Sequence, residues 1–185
     1  MKLTTWNIRG LGSRRKQRNL SNRIKEEKPD MVFIQETKCS MDKIREIHNK
    51  WLIKYEYLEV KAKNSAGGIL TLWDPHKFGI LDAEASRNYL SLVCQTLGDK
   101  EIYKITNVCG PKKQEDKLKL LTSLEQLRER YPDVPWILAG DFNMIRSLTE
   151  KKDGTRKLGR DSIAFQNFIM NMGLVDTKTI NGTFT

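Results

Sequence analysis

The sequence has few cysteines and no long apolar run. Its three cysteines, Cys39, Cys94 and Cys109, are odd in number and widely spaced, which argues against a disulfide framework or a zinc cluster and favours a reducing compartment. No apolar stretch approaches the roughly 20 residues that a membrane span needs. The opening MKLTTWN is too polar for a signal peptide. We therefore expect an intracellular protein, in the nucleus or the cytoplasm, that does not span a membrane.

No repeat, low-complexity segment or linker divides the 185 residues, so we expect a single domain over residues 1–185. Hydrophobic residues make up 38% of the chain and charged residues 30%, which is typical of a folded protein rather than a disordered one. The 33 Lys and Arg residues outnumber the 23 Asp and Glu residues, giving a net charge of +10. This excess favours a polyanionic partner, nucleic acid first and an anionic membrane surface second. A merely soluble basic protein is the alternative.

Short β-prone runs and amphipathic segments share the chain, which predicts an α/β or α+β fold. The eight predicted strands are Lys2–Asn7, Met31–Glu36, Tyr55–Lys61, Gly68–Trp73, Phe78–Glu84, Asn88–Leu97, Glu101–Cys109 and Trp136–Asp141. The four predicted helices are Ser13–Lys28, Met41–Trp51, Gln114–Arg130 and Asp161–Met172. Because several strands follow one another in the middle of the chain, we expect a β-sandwich flanked by helices rather than an alternating parallel sheet.

Two of the predicted helices carry specific expectations. The helix Gln114–Arg130 has an apolar stripe of Leu118, Leu121, Leu124 and Leu127, which indicates a buried face. The last helix is expected to use Asp161 as its N-terminal cap. Neither feature indicates a function.

Polar residues follow several apolar strands at the point where each strand ends. Asn7, Glu36 and Cys109 end or follow three predicted strands, and Asp141 and Asn143 follow the run WILA. Side chains two apart on extended backbone face the same way, so Asp141 and Asn143 can point at one object. Each residue alone is explained by turn formation, but several such endings favour a shared cleft where chemistry takes place.

These residues resemble the endonuclease/exonuclease/phosphatase family. The motifs that carry the resemblance are WNIRGLGS, PDMVFIQETK, AGGILTLW, NVCGP, GDFNMI and GLVDTKTINGTFT, in that order. Within the family, the sequence is most similar to the apurinic-like endonuclease domain of plant LINE-type (non-LTR) retrotransposons. The resemblance implies two packed β-sheets flanked by helices, and metal-dependent hydrolysis of a phosphodiester bond.

The resemblance also implies a role for each strand-end residue. Glu36 is similar to the glutamate that holds the metal, and Asn7 to the asparagine that orients the metal site and is counted with its ligands. Asp141 is similar to the aspartate that positions or deprotonates the attacking water, and Asn143 to the amide that steadies the phosphate. The implied cofactor is Mg²⁺, with Mn²⁺ able to replace it, because such ions need only one or two carboxylates and keep several waters.

Two clusters of basic residues are predicted to contact nucleic acid. The first follows the first strand and includes Arg14 and Arg15. The second follows GDFN and includes Lys151, Lys152, Arg156, Lys157 and Arg160. Basic clusters beside a catalytic edge suit phosphate contacts, and no base-reading motif accompanies them. We therefore expect DNA binding without sequence preference. The alternative is that either cluster is a solvated loop.

Three departures from the family pattern bear on activity. Cys109 stands where the family has a tyrosine that contacts the scissile phosphate, and a thiol is a weaker donor. Arg9 replaces a residue that is acidic in the repair-enzyme branch, and its spacing from Asn7 predicts an ion pair with Glu36. The chain also ends at NGTFT, before the family's second aspartate and its terminal Ser-Asp-His. The resemblance thus implies a domain that lacks its last strands.

Three functions stay open at this point. The first is a Mg²⁺-dependent DNA endonuclease domain with weak or no activity in this form. The second is a non-catalytic remnant of the same fold that binds nucleic acid or a protein. The third is a phosphatase acting on a small or lipid phosphate, which the basic loops disfavour. Because the absent strands would leave a strand edge exposed, we also expect self-association or a protein partner at that edge, and no membrane partner.

Overall fold

The computed structural model describes residues 1–63, 66–150 and 158–177, which contain eight strands in two sheets. The strands are β1 Leu3–Asn7, β2 Met31–Gln35, β3 Glu56–Val60, β4 Ile69–Trp73, β5 Phe78–Ala85, β6 Tyr89–Thr96, β7 Ile102–Cys109 and β8 Trp136–Asp141. The first sheet has the order β1-β2-β4-β3 and the second the order β5-β6-β7-β8. In each sheet one pair is parallel, β1 with β2 and β7 with β8, and the other pairs are antiparallel.

The predicted fold class is confirmed. Each of the eight predicted strands is present, with bounds within one residue of those expected, and both sheets are mixed, as the run of consecutive strands indicates. All eight strands belong to one compact unit, formed by Met1–Cys109 together with Asp133–Asp141. The layer between the sheets is a cluster of buried apolar side chains that includes Met31, Phe33 and Ile105.

Two helices cover the outer face of the first sheet. They are α1, Arg14–Glu27, and α2, Met41–Ile47. Leu20 of α1 and Ile44 of α2 belong to one buried cluster with Val32 and Leu70 of the sheet. The predicted extension of the second helix to Trp51 corresponds to a π-helical segment, His48–Leu52, that directly follows α2. Burial of these apolar stripes positions the ends of the strands below them.

A second compact unit comprises Gly110–Pro132 and the chain from Phe142 onward. It contains α3, Gln114–Glu129, and α4, Arg160–Asn171, which pack against each other. The predicted leucine stripe of α3 is wrong at one position, because Leu118 is exposed and Leu120 is buried in its place. The single domain expected over residues 1–185 stays a prediction. Among the described helices, none has the length and apolar character needed to cross a membrane.

Asp161 was expected to cap α4, but it lies inside the first turn of the helix, and Gly159 occupies the cap position. Its carboxylate instead accepts a hydrogen bond from the Lys117 ammonium of α3, at 2.7 Å, and both side chains are largely buried. This hydrogen bond is the main cause that lowers the pKa of Asp161, and burial opposes it. The ion pair therefore ties α3 to α4 within the second unit.

Asp161→Asn should lower the free energy of unfolding by about 1–2 kcal/mol near neutral pH, because it leaves the Lys117 ammonium poorly compensated. Since the folded-state pKa of Asp161 is depressed, this stabilisation is present above its unfolded pKa of about 3.9 and is lost as the pH falls through the folded value. Urea unfolding at about pH 7 and at about pH 3 measures the difference. Asp116→Asn is the control, because Asp116 pairs with Lys119 at 3.8 Å on the exposed surface of α3. A loss of stability that is the same at both pH values would contradict the assignment.

Candidate active site

Three predicted site residues meet where β1, β2 and β8 end. Asn7 is the last residue of β1, Glu36 directly follows β2, and Asp141 is the last residue of β8. The amide Nδ2 of Asn7 donates to Asp141 Oδ2 at 2.5 Å and to Glu36 Oε1 at 3.4 Å. One amide thus links two carboxylates that lie 105 positions apart in the sequence (141 − 36 = 105). The parallel pairing of β1 with β2 brings Asn7 and Glu36 to the same edge, and β8 brings Asp141 to them from the other sheet.

The orientation of Asn7 defines its part in the site. Its Nδ2 group faces the two carboxylates, while its Oδ1 accepts a hydrogen bond from the backbone N–H of Arg9 at 3.2 Å. In this orientation Asn7 holds the carboxylates together and does not present its own oxygen beside them. Both parts expected of Asn7, as the residue that orients the metal site and as one of its ligands, stay predictions.

The backbone around Glu36 is held from two sides. Glu36 has a φ of 54°, a left-handed conformation that is uncommon for a residue with a side chain. Its carbonyl accepts from the N–H of Gly10 at 2.7 Å, and the next N–H, that of Thr37, donates to Gly68 O at 3.1 Å. Gly68 permits this approach, because a Cβ there would lie 2.2 Å from Thr37 Oγ1. These contacts fix the direction in which the Glu36 side chain leaves the strand.

A lysine that the sequence reasoning missed lies against Glu36. The Lys38 ammonium is 2.9 Å from Glu36 Oε2, and the two side chains are 38% and 16% exposed. Arg9, which was expected to make this ion pair, is exposed with a φ of 49° and forms no ion pair with any residue that the structure describes. Lys38 also has a left-handed backbone, at φ 52°. The left-handed backbones of Glu36 and Lys38, on either side of Thr37, bring the ammonium back to the carboxylate.

Cys109 lies beside the same carboxylates. It ends β7 and pairs in register with Asp141 of β8. Burial is the main cause that raises the pKa of its thiol; a hydrogen bond from the Glu36 backbone opposes the shift, while the charges of Asp141 and Glu36 add to it. The thiol is therefore neutral near pH 7. Asn88 fixes the backbone here, because its Nδ2 donates to Cys109 O at 2.8 Å and its carbonyl accepts from Cys109 N at 2.8 Å.

Asn143 belongs to the second compact unit and is described within it. It has a φ of 52°, and its Nδ2 donates to Gly110 O at 2.7 Å. A Cβ on Gly110 would lie 2.0 Å from Phe142 O, so glycine is required for the chain to pass this closely. The role of Asn143 as the amide that steadies a phosphate stays a prediction.

The basic clusters are described in part. Arg14 and Arg15 are exposed at the start of α1, and Arg160 is exposed at the start of α4. Their neighbour Lys16 has a structural task, because its ammonium donates to Ile8 O at 2.8 Å and to Arg9 O at 2.9 Å. The other predicted contact residues, Lys151, Lys152, Arg156 and Lys157, lie outside the described residues.

The donor set of this site suits a cation that keeps most of its water. Within residues 1–63, 66–150 and 158–177, no group of three or more His, Cys, Asp or Glu side chains could hold a metal ion by itself. The ammonium of Lys38 on Glu36 shows that this carboxylate already faces a cation. Two hard carboxylates held by one amide fit Mg²⁺, which needs one or two protein carboxylates, and do not fit zinc, which prefers nitrogen and sulfur.

Solved structures share this fold at low sequence identity. The 3'-5' exonuclease (NExo) from Neisseria meningitidis superposes with a TM-score of 0.75 at 18% identity, over 93% of this chain and 71% of that chain. The APE2 catalytic domain from Xenopus laevis gives 0.73 at 17%, over 91% and 67%. The AP endonuclease LMAP from Leishmania major gives 0.73 at 16%, over 92% and 66%. No curated protein matches the sequence.

The sequence itself carries the assignment beyond the fold. Residues 4–185 match the Endonuclease/Exonuclease/phosphatase family, whose members are hydrolytic nucleases and phosphatases. The match runs through both compact units and includes Asn7, Glu36 and Asp141. The chain belongs to the Endonuclease/Exonuclease/phosphatase family.

Proposed function

We propose that the chain is a Mg²⁺-dependent DNA endonuclease domain of the LINE-type retrotransposon kind. The observation that carries the proposal is the Asn7 amide, which joins Glu36 and Asp141 at the ends of three strands. Hydrolysis of a phosphodiester needs a charge-stabilising group and a group that handles the proton of the attacking water. The two carboxylates share the Asn7 amide, and Glu36 also lies beside the Lys38 ammonium; together they would supply both groups.

Each residue has a separate part in the proposed reaction. Glu36 would hold Mg²⁺, and when bound the ion would polarise the phosphoryl oxygen and stabilise the leaving oxygen. Asp141 would accept the proton of the attacking water and orient that water toward phosphorus. Asn7 keeps the two carboxylates at a fixed separation through its two hydrogen bonds. The thiol of Cys109 would offer only a weak hydrogen bond to a phosphate, so we expect the proposed cleavage to be slow.

The proposed substrate is DNA bound through its phosphates. The net charge of +10 favours a polyanion, and Arg14 and Arg15 are exposed on α1, which begins shortly after β1 delivers Asn7. Contacts of this kind position a duplex without reading its bases. We therefore propose binding without sequence preference, with the finer assignment to the retrotransposon kind resting on the resemblance of the motifs. Self-association at a strand edge also stays a prediction.

The second candidate is a non-catalytic domain of the same fold that binds nucleic acid or a protein. One specific observation favours it, namely the Lys38 ammonium that lies 2.9 Å from Glu36 Oε2, where a cation would bind. A nicking assay separates the two functions. Incubation of supercoiled plasmid with excess protein and Mg²⁺ should yield nicked circles, and a chelator should stop the reaction. Binding of the plasmid without nicking, in Mg²⁺ or Mn²⁺, would reject the nuclease and leave the binding function.

Lys38→Ala should raise the affinity for Mg²⁺ by at most about fivefold, because a part-exposed ion pair contributes about 0.2–1 kcal/mol. The physical reason is that the ammonium neutralises the carboxylate that the ion needs. Calorimetric titration of Mg²⁺ measures the change. Arg9→Ala is the matched control, since it removes a neighbouring positive charge that makes no ion pair with a described residue. Equal effects of the two substitutions would mean that general charge, and not competition at Glu36, sets the affinity.

A further inference from the structure

A buried hydrogen-bonded pair connects the two sheets just inside the site. Gln35, the last residue of β2, donates from Nε2 to Oδ1 of Asn107 on β7 at 2.6 Å. We call this Gln35–Asn107 pair the amide bridge. Both residues are fully buried. Because β2 and β7 belong to different sheets, no ladder of backbone hydrogen bonds aligns them, and the bridge fixes which point of one strand lies opposite the other.

The amide bridge is held in one orientation by its neighbours. The Gln35 Nε2 group also donates to Thr5 Oγ1 of β1 at 3.1 Å. The Nδ2 group of Asn107 donates to Leu70 O at 3.2 Å and to Thr71 Oγ1 at 3.1 Å, both on β4. Turning Asn107 over would set its N–H group against that of Gln35, and turning Gln35 over would set its oxygen against Oδ1 of Asn107. Either change is costly in a buried place. The bridge therefore connects β1, β2, β4 and β7 through directional contacts.

The amide bridge lies in the layer between the sheets, next to apolar side chains of β2 and β7. Along β2 the side chains that face this layer are Met31 and Phe33, followed by Gln35, and along β7 Ile105 is followed by Asn107. An apolar pair would fill the layer without the cost of burying two amides. Along β2 and β7 an amide takes the place of an apolar side chain near the end of the strand, which is the end that the site residues follow. At this point of the layer, a directional hydrogen bond between the two sheets takes the place of non-directional apolar packing.

The site residues follow the bridge on both strands. Glu36 is the next residue after Gln35, and Cys109, two residues after Asn107, pairs in register with Asp141. The left-handed backbone of Glu36 is a conformation that persists only where its surroundings determine it strongly. We propose that Gln35 and Asn107 are positioning residues, and that the amide bridge locks the ends of β2 and β7 together so that Glu36 is held opposite Asp141. The consequence for metal binding rests on the proposed function, whereas the positioning itself does not.

The test compares the bridge with an equally buried hydrogen bond on the other face of the same sheet. Asn107→Leu removes the bridge and keeps the branching and the number of heavy atoms of the side chain. Ser91→Ala is the control, because Ser91 Oγ lies 2.8 Å from Thr106 Oγ1, is buried, and has no contact with the carboxylates. The double variant Gln35→Met with Asn107→Leu replaces both partners with apolar groups and leaves no buried amide without its partner. It is measured in place of Asn107→Leu if that single variant folds poorly.

Native-state hydrogen exchange reports the positioning without any metal. The amides of Gly10, Thr37 and Lys38, which bond to Glu36 O, Gly68 O and Gly67 O, should exchange about tenfold faster in Asn107→Leu, relative to the amides of Met31 and Asp74 at the other end of the sheet. In Ser91→Ala the two sets should change by the same factor. Equal acceleration of both sets in Asn107→Leu would overturn the proposal, because the bridge would then contribute only to global stability.

Titration of Mn²⁺ followed by its electron paramagnetic resonance signal gives the second readout. Asn107→Leu should weaken Mn²⁺ binding by about tenfold, as loss of a supporting hydrogen bond does at metal sites, and Ser91→Ala should leave the affinity unchanged. Glu36→Gln should remove the binding. No Mn²⁺ binding by the unaltered chain would reject the proposed function, while the exchange rates would still decide the bridge. Unchanged Mn²⁺ affinity in Asn107→Leu, with binding intact in the unaltered chain, would contradict the positioning of Glu36.

Discussion

Asp141→Asn should slow the proposed Mg²⁺-dependent nicking of plasmid DNA by about 10²–10⁴-fold, the usual loss when a general base is removed. Asparagine has nearly the same size as aspartate, and its Oδ1 can still accept the hydrogen bond that Asn7 Nδ2 makes at 2.5 Å. The substitution therefore keeps the link between β1 and β8 and removes only the charge that accepts a proton. Single-turnover measurements with excess protein isolate this step from product release.

Asp133→Asn is the control for this substitution. Asp133 is exposed and lies shortly before β8, so its change removes the same charge from the same segment without touching the site. Its nicking rate should equal that of the unaltered chain. Full nicking by Asp141→Asn would show that another group handles the proton. Loss of nicking in both variants would indicate that the net charge of this segment, and not the base, controls the rate.

The sequence predicted that Asn7, Glu36 and Asp141 meet, because each follows an apolar run. Parallel pairing of β1 with β2 accounts for Asn7 and Glu36, but Asp141 ends a strand of the other sheet. The strand bounds were accurate for a related reason. The apolar runs are short, and Gly, Pro or charged residues end them clearly. The pattern specifies the end of each strand and the face of each side chain, whereas the packing of one sheet on the other brings the two carboxylates together.

The missed contacts depend on backbone turns or on distant partners. Lys38 reaches Glu36 because residues 36 and 38 both have left-handed backbones. This conformation is uncommon for glutamate and lysine, so the sequence does not predict it. Arg9 has a left-handed backbone as well, and its predicted approach to Glu36 assumed an extended chain. The amide bridge joins residues 72 positions apart in different sheets. Its register follows from tertiary packing, which alternation of polar and apolar residues does not determine.

The same limit applies to the helices of the second unit. Asp161 was expected to cap α4, because aspartate is a preferred cap and an apolar face follows it. Its partner is Lys117, 44 residues earlier in the chain, and that ion pair has no local signal. Leu118 and Leu120 lie on different faces of α3, and a stripe drawn through every third residue selects Leu118, which is exposed, and passes over Leu120, which is buried. The local sequence thus predicts that a helix forms, whereas the face that it buries depends on the elements that pack against it.

Reversing two charges at the start of α1 should weaken DNA binding by on the order of 100-fold at about 50 mM salt. Each phosphate contact contributes a slope of about −0.9 in the plot of log affinity against log salt, so two contacts give roughly −1.8. The variant is Arg14→Glu with Arg15→Glu. Both side chains are exposed, and α1 begins seven residues after Asn7 (14 − 7 = 7). Fluorescence anisotropy with a labelled duplex, repeated over a range of salt concentrations, measures the affinity and the slope together.

Lys54→Glu with Lys100→Glu is the matched control, because it changes the net charge equally at the other end of the strands. Lys54 precedes the end of β3 that pairs with Trp73, and Lys100 precedes β7 at the end opposite Cys109. Both lysines are exposed. If binding depends on phosphate contacts beside the site, the control should keep nearly the full slope and lose only the small part due to long-range attraction. Equal losses in the two variants would show that DNA responds to net charge alone, and the surface at the start of α1 would then have no specific part in binding.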